Sequence, residues 1–274
     1  MLSVNTNTGA MVALEYLNQT QAQLTQTQNA INTGLKVSSA KDDGATYAIA
    51  QNMRGDVAGY QSVTDSLNRG MSAVDVATSA GQSISDLLIQ MKQKALSAAD
   101  SSIDTASRQA LNQDFVALRD QITTIVKNAV FNGYNLIDGS TSKITALASA
   151  DGTRRISVSA LTMSLGSSIV TVTSAGTIST LANATAMVKT IETSLTNVDA
   201  ALAKLSSGAK KFSIQTTFTQ QLSDTLTTGI GNMVDADMAK ESALLTSLQT
   251  KQQLGVQALS IANQAPSAIL SLFR

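Results

Sequence analysis

Several residue types that carry chemistry in other proteins are missing from this chain of 274 residues. It contains no cysteine, no histidine and no tryptophan, and its single proline is Pro266. Without Cys and His, disulfides, thiolate chemistry, Ser-His-Asp and Cys-His groups and nearly all zinc sites are excluded. Aromatic residues make up only 3% of the chain, less than a packed globular enzyme usually carries. The composition therefore predicts a protein that is not an enzyme, with no catalytic residue, metal site or cofactor.

An excess of charge of one sign is also missing, because 19 basic residues balance 19 acidic ones. Zero net charge argues against a nucleic-acid partner and leaves little repulsion between copies, which favours self-association. The longest uncharged run, 156–188, is rich in Ser, Thr and Gly and therefore predicts no membrane insertion. The first seven residues contain neither a basic nor an apolar segment, so we expect no cleavable signal peptide.

Apolar residues in the N-terminal part recur at the alternating spacing of three and four that is typical of coiled coils. The first such stripe runs from Ala10 to Ile31 and includes Gln21 and Gln28. Glutamines in a stripe can fix the register of two helices, or they can line a wet channel, and the sequence leaves both interpretations open for these two and for Gln252. Asn32-Thr33-Gly34 predicts the end of this helix.

Longer helices are predicted further along the chain. Two interleaved seven-residue repeats indicate one over about 46–98, and further stripes indicate helices over about 104–129 and 181–228. We expect these helices to pack as an antiparallel, coiled-coil-like rod. The residues predicted to fill the core of this rod are Leu67, Val74, Ile84, Leu88, Met91, Leu111, Phe115, Leu118, Ile122, Ile125, Ile191, Leu195, Val198, Leu202, Leu205 and Phe212.

Three signals predict breaks between the helices. Asn132-Gly133 is expected to stop the third helix, and Gly229-Ile230-Gly231 to interrupt the helical pattern before a last helix over about 235–263. Pro266 is expected to break that last helix.

The segment 140–180 has a β-like pattern. Residues 144–150 and 153–159 flank Asp151-Gly152, a dipeptide that favours the two-residue type I′ turn of a hairpin. The β-branched run 169–173 predicts a further strand.

These elements predict a mostly α fold: a helical rod domain over 41–234 that includes the hairpin region, and a terminal domain in which 1–40 and 235–274 form a helical pair. The terminal stripes have no globular core nearby, and exposed apolar surface usually marks an interaction site. We therefore expect packing within this pair and between copies by Leu14, Leu17, Leu24, Ile31, Leu245, Leu248, Val256, Leu259, Ile269, Leu270, Leu272 and Phe273.

Two acidic clusters allow a second interpretation. Asp42-Asp43-Gly44 is similar to the start of a calcium loop, but the later ligand positions and the closing Glu are missing. Asp235, Asp237 and Glu241 could act as paired carboxylates, yet acidic residues are favoured at the start of a helix, and that structural interpretation is preferred.

Several segments at both ends of the chain resemble the bacterial flagellins. In the N-terminal half these are 31–45, 119–122 and 131–139. In the C-terminal half they are 235–241, 253–255, 262–266 and 270–274. The resemblance covers about residues 1–140 and 180–274, and several long matches in the same order are more specific than any single motif.

The resemblance implies a subunit that polymerises into the bacterial flagellar filament for swimming motility. Its terminal helices would form an inner tube and its rod the next shell. Only about 40 residues separate the two similar halves, so the large outer domains of most flagellins would be absent. The implied partners are other copies of the chain, an export chaperone, the cap and hook-junction proteins. The implied location is the extracellular filament, reached by type III export. The alternative is the hook–filament junction protein, which has similar ends.

One stretch departs from the family pattern. Where flagellins commonly read Gln-Arg-Val-Arg-Glu-Leu-Ala at the site recognised by the innate immune flagellin receptor, this chain has Ile89-Gln90-Met91-Lys92-Gln93-Lys94-Ala95. Gln90 replaces an arginine and Lys94 replaces a leucine, which removes a bidentate donor and an apolar contact. The departure predicts weak receptor activation.

Overall fold

The computed structural model describes the backbone of residues 6–270 and the side chains of residues 6–264. The fold is mostly helical, as predicted, with two small strand pairs. The elements in chain order are α1 (Thr8–Thr33), α2 (Gly44–Ala98), α3 (Thr105–Asn128), β1 (Val130–Phe131), β2 (Tyr134–Asn135), β3 (Lys143–Leu147), β4 (Arg155–Ser159), α4 (Leu181–Val234) and α5 (Met238–Leu270). Among the described residues, no helix is both long and apolar enough to span a bilayer.

The chain divides into two compact units. The terminal unit contains the residues up to Gly55 and those from Thr225 onward, and the central unit contains Asp56–Asp224. Both boundaries fall inside long helices, α2 and α4, whereas the domain boundaries predicted from the sequence lie at helix ends.

The core of the central unit forms where α2 and α4 run antiparallel. A Cβ added to Gly70 would lie 3.2 Å from the Phe212 ring, and one added to Gly81 would lie 2.8 Å from Leu202. The two glycines therefore let these helices approach closely. Among the predicted core residues, Leu111, Leu118, Ile125, Leu195 and Leu202 are partly buried against the core, and the following are fully buried: Leu67, Val74, Ile84, Leu88, Met91, Phe115, Ile122, Ile191, Val198, Leu205 and Phe212.

The first strand pair replaces a predicted helix stop. Asn132-Gly133 does not end α3, which already ends at Asn128, but forms the turn between β1 and β2. Both residues have positive φ, 47° and 82°, as a two-residue hairpin turn requires. The side chain of Asn135 stabilises the start of this hairpin, because its Nδ2 donates to the Val126 carbonyl at 2.7 Å.

The predicted hairpin is present as β3 and β4, but its turn differs from the prediction. Leu147 pairs with Arg155, and the Ala148 N–H donates to the Arg154 carbonyl, so five residues rather than two form the loop. Only Gly152 of the Asp151-Gly152 dipeptide has positive φ, which excludes a type I′ turn. The Asp151 carboxylate instead organises the loop by accepting hydrogen bonds from the Ser149 hydroxyl and from the backbone and hydroxyl of Thr153.

These hydrogen bonds make the loop sensitive to acid. Those from Ser149 and Thr153 lower the pKa of Asp151 from 3.8 to about 2. Because the folded pKa lies below the unfolded one, the contribution to stability is present above pH 3.8 and is lost as the pH falls towards 2. We expect carboxyl NMR to show Asp151 titrating near pH 2, and Asp151→Asn to loosen the loop at neutral pH. Titration at 3.8 would contradict this reading of the loop.

The predicted strand over 169–173 is wrong. Val170 and Val172 are both buried and point into the core, which accounts for the alternating pattern. The backbone groups, however, bond to other elements: the Thr171 N–H donates to Ser194 Oγ of α4 at 3.0 Å, and the Val172 carbonyl accepts from the Gly166 N–H. The alternation of apolar and polar residues over 169–173 therefore reflects burial of the valines and not pairing with another strand.

Two predicted helix breaks are also wrong. Helix α4 continues through Gly229-Ile230-Gly231 to Val234, because Ile230 and Val234 are both buried on one side of it. This packing outweighs the cost of about 1 kcal/mol for each helical glycine. Helix α5 continues past Pro266 to Leu270.

Candidate assembly interface

Helices α1 and α5 pack against each other in the terminal unit and run antiparallel, which confirms the predicted pairing of the first and last helices. Near the start of α1, Gly9 faces Ala262. About two turns further on, a Cβ added to Gly255 would lie 3.2 Å from Leu17. Gly255 thus provides the space in which the Leu17 side chain packs.

The contact face of α1 is rotated from the predicted stripe. Leu24, Thr27 and Ala30 are buried, whereas Leu14, Gln21 and Gln28 from the predicted stripe are exposed. A straight α-helix drifts by about 20° per heptad from a strict seven-residue repeat, and small Ala and Thr side chains allow close approach. Within the stripe, Leu24 is buried and Leu17 and Ile31 are half-buried, so only Leu14, Gln21 and Gln28 lie at the edge of the pair.

A hydrogen bond between glutamines crosses this edge. Gln252 Nε2 of α5 donates to Gln21 Oε1 of α1 at 2.7 Å. Because an amide pair forms only at one alignment of the two helices, this geometry supports the interpretation that these two glutamines fix the register.

Asn7 connects the start of α1 to the far end of α5. Its Oδ1 accepts from the Ala10 N–H and caps α1, while its Nδ2 donates to the Ala262 carbonyl at 2.7 Å. That carbonyl lies four residues before Pro266, which has no N–H to offer it. A carbonyl left without its helical partner is thus bonded by the cap residue of the other helix.

The segment between α1 and α2 is held by its own carboxylates. Asp42 Oδ2 accepts from the backbone N–H and hydroxyl of both Ser38 and Ser39, and Asp43 caps α2 through Ala45 and Thr46. These hydrogen bonds lower the pKa of Asp42 and Asp43 below 3.8. The two carboxylates therefore serve as caps and turn anchors.

The acidic cluster at the start of α5 has a similar role. Asp237 Oδ1 accepts from the N–H groups of Ala239 and Lys240, and the Leu35–Asp235 bridge joins this turn to the end of α1. Across the described residues, no group of three or more acidic side chains is arranged to hold a metal ion.

The residues predicted to pack in the terminal unit occupy three environments. Leu24 and Leu248 are buried, and Leu17, Ile31, Leu245 and Leu259 are half-buried. Leu14 and Val256 are 48% and 53% exposed. The side chains of Ile269, Leu270, Leu272 and Phe273 lie outside the described residues.

Sequence reasoning missed six exposed apolar side chains on the same two helices. They lie outside the coiled-coil stripes, so the three-four spacing gave no signal for them. All six are large and 40% to 70% exposed: Met11, Val12, Tyr16, Leu244, Leu254 and Ile261. Leu14 and Val256, which do belong to the predicted stripes, are exposed as well, and we call these eight side chains together the outer face of the terminal pair.

The stretch that departs from the receptor-recognition pattern lies on α2 in the central unit. Ile89 is 46% exposed, and Gln90 is also exposed. Lys94 Nζ forms an ion pair with Asp114 Oδ2 of α3 at 2.6 Å. The lysine in place of the family leucine is therefore engaged with a neighbouring helix.

Two solved structures have a similar fold. A crystal structure of Bacillus cereus flagellin superposes with a TM-score of 0.50 at 20% identity, covering 56% of this chain and 88% of that one. A putative flagellar hook-associated protein from Vibrio parahaemolyticus superposes with a TM-score of 0.57 at 15% identity, covering 71% of this chain and 100% of that one. At these identities the likeness concerns the fold alone.

Sequence comparison is more specific. The bacterial flagellin N-terminal helical region matches residues 4–142, and the bacterial flagellin C-terminal helical region matches residues 188–273. Flagellin FljM of Caulobacter vibrioides is 53% identical over 99% of this chain and 98% of its own length. The chain therefore belongs to the bacterial flagellin family, and it is a structural subunit of the bacterial flagellar filament rather than an enzyme.

Proposed function

We propose that the terminal pair is an incomplete packing unit that neighbouring copies finish when the filament grows. The observation that carries this proposal is the outer face, whose eight large apolar side chains are 40% to 70% exposed in the single chain. A monomer gains little from holding such a surface in water, and burial between copies removes that apolar area from solvent.

The layered arrangement follows from this role. The terminal domain, 1–40 with 235–274, would form the inner layer of the filament, with the side chains of its outer face packed between copies. The rod domain, 41–234, would form the next layer, and no outer domain would cover it. The segment 140–180 supports this arrangement, because it contains only β3, β4 and irregular chain packed on the helices.

Seeded growth of the purified protein tests the proposal. We expect filaments by negative-stain electron microscopy from wild-type protein, and none from Leu14→Asp combined with Val256→Asp, since both side chains lie on the outer face. Leu14→Met with Val256→Ile keeps the surface apolar and should grow normally. Because both positions are exposed in the monomer, circular dichroism should be unchanged in all variants. Normal filaments from the aspartate variant would overturn the role of the outer face.

The same role requires a route out of the cell. We propose export without a cleaved signal peptide through the flagellar type III channel, assisted by an export chaperone, and addition to the filament in contact with cap and hook-junction proteins. Intact-mass measurement of protein from sheared filaments should then give the mass of the uncleaved chain.

We also propose that the chain is a weak activator of the innate immune flagellin receptor. Gln90 cannot make the bidentate contacts of an arginine, and Lys94 presents a charge paired with Asp114 where the family has an apolar side chain. In a cell reporter assay we expect Gln90→Arg with Lys94→Leu to raise signalling about tenfold or more, the equivalent of about 1.4 kcal/mol in binding. Full signalling by the wild-type monomer would contradict this.

A further inference from the structure

A groove of about 400 Å³ runs between β4 and α4 in the central unit. Lys204 and Lys211 line it from α4, about 10.5 Å apart along the helix axis because they are seven residues apart. Serine hydroxyls line the space around them: Ser157, Ser159 and Ser207. Within the described part of the chain, neither ammonium group forms an ion pair or a hydrogen bond.

The floor of the groove is closely packed. A Cβ added to Gly208 would lie 2.6 Å from Val158 Cγ1, so only glycine lets β4 approach α4 at this point. The two lysines therefore stand on a fixed base, on either side of Gly208. Two neighbouring cations without partners on a closely packed base are suited to an anionic group that arrives from outside.

Charge is unevenly distributed in the central unit although the whole chain is neutral. Residues 143–211 contain seven basic and three acidic side chains, whereas residues 56–90 contain four acidic and one basic. The basic groove and the acidic part of α2 are thus complementary surfaces within one molecule. Such complementarity steers association and fixes the register between partners.

Asp75 is the acidic residue whose position along α2 matches the groove. The antiparallel contacts of Gly70 with Phe212 and of Gly81 with Leu202 place Asp75 level with residues 207–208, midway between the two lysines. Its side chain is exposed. Asp75 lies five residues after Gly70, and Gly70 is on the face of α2 that packs on the hairpin and α4. At about 100° per residue, the Asp75 side chain leaves the helix about 140° away from that face. Asp75 therefore cannot reach the groove of its own chain.

We propose that the groove between β4 and α4 receives the Asp75 carboxylate of a second copy, between Lys204 and Lys211. This inference rests on the proposed function, because it assumes that copies associate side by side. A carboxylate midway between the lysines lies about 5 Å along the axis from each, so both ammonium groups can approach it. The surrounding serine hydroxyls can donate to the same carboxylate.

A charge-swap experiment tests the inference. One variant carries Lys204→Glu with Lys211→Glu, and the other carries Asp75→Lys. Each alone places like charges at every contact, so we expect the protein concentration needed for seeded growth to rise about tenfold. In an equimolar mixture, alternating copies meet opposite charges at both contacts, and growth should return to within about twofold of wild type. The controls are Lys210→Glu and Asp199→Lys, since both residues are exposed on α4 outside the groove. Each should change the protein concentration needed for seeded growth by less than about twofold.

Each outcome has a distinct meaning. Wild-type protein that does not grow from seeds would overturn the proposed function. Growth of the Lys204→Glu, Lys211→Glu variant at the wild-type concentration would overturn only the proposed role of the groove. Rescue when all three changes are in one chain, without rescue in the mixture, would place the pairing within a molecule and would also overturn it. If the Lys204→Glu, Lys211→Glu variant loses its circular dichroism signal, Lys204→Gln with Lys211→Gln is used instead. We then expect a smaller rise in the protein concentration needed for seeded growth.

Discussion

Leu248→Asp combined with Leu17→Asp is expected to abolish filament growth completely. Leu248 is 1% exposed, and Leu17 packs against Gly255 across the α1–α5 contact. Loss of one buried leucine costs about 2–5 kcal/mol, and a buried carboxylate without a partner adds several more. The terminal pair should therefore separate and lose the surface that neighbouring copies pack against.

The measurement has two parts. Seeded growth should be absent by electron microscopy, while limited proteolysis should still protect fragments within Asp56–Asp224, since the changed residues lie in the terminal unit. Ser247→Asp is the matched control, because it is exposed and adjacent to Leu248. Filaments of normal length from the double variant would show that the α1–α5 contact is dispensable.

Phe212→Ala is expected to destabilise the central unit by about 3–5 kcal/mol. The ring is fully buried and packs on Gly70, so its removal leaves a cavity that a glycine on the facing helix cannot fill. Phe218→Ala, six residues later on the same helix, removes an equal ring that is 54% exposed. We expect that control to cost less than about 1 kcal/mol.

Chemical denaturation followed by circular dichroism measures both variants. The urea midpoint should fall sharply for Phe212→Ala and move little for Phe218→Ala. Equal shifts of the midpoint for the two variants would mean that packing of Phe212 on Gly70 contributes no more to stability than an exposed phenylalanine does.

The long helices could be predicted from the sequence because a repeated apolar stripe reports burial directly. In the α2 stripe, Leu67, Val74 and Leu88 are fully buried. Local signals were less reliable where packing opposed them. The glycines at 229 and 231 were expected to interrupt α4, but the buried side chains of Ile230 and Val234 hold the helix together.

The candidate interface was only partly predictable for a related reason. A stripe identifies which side of a helix is apolar, but the contact between Leu17 and Gly255 depends on register, which the stripe does not fix. The outer face was missed because Tyr16 and Ile261 belong to no repeat. The sequence pattern gave no indication that Lys204 and Lys211 line a groove, because the groove forms only where β4 packs against α4.

The double role of Asn7 makes the start of α1 sensitive to a change at the opposite end of the chain. Asn7 and Ala262 are 255 positions apart, and they bond because residue 266 is a proline. Replacing Pro266 by alanine would supply an N–H that competes for the Ala262 carbonyl and would release the asparagine amide. A proline that is unfavourable in a helix thus leaves free the carbonyl that binds Asn7 and so helps to hold the first turn of α1 against α5.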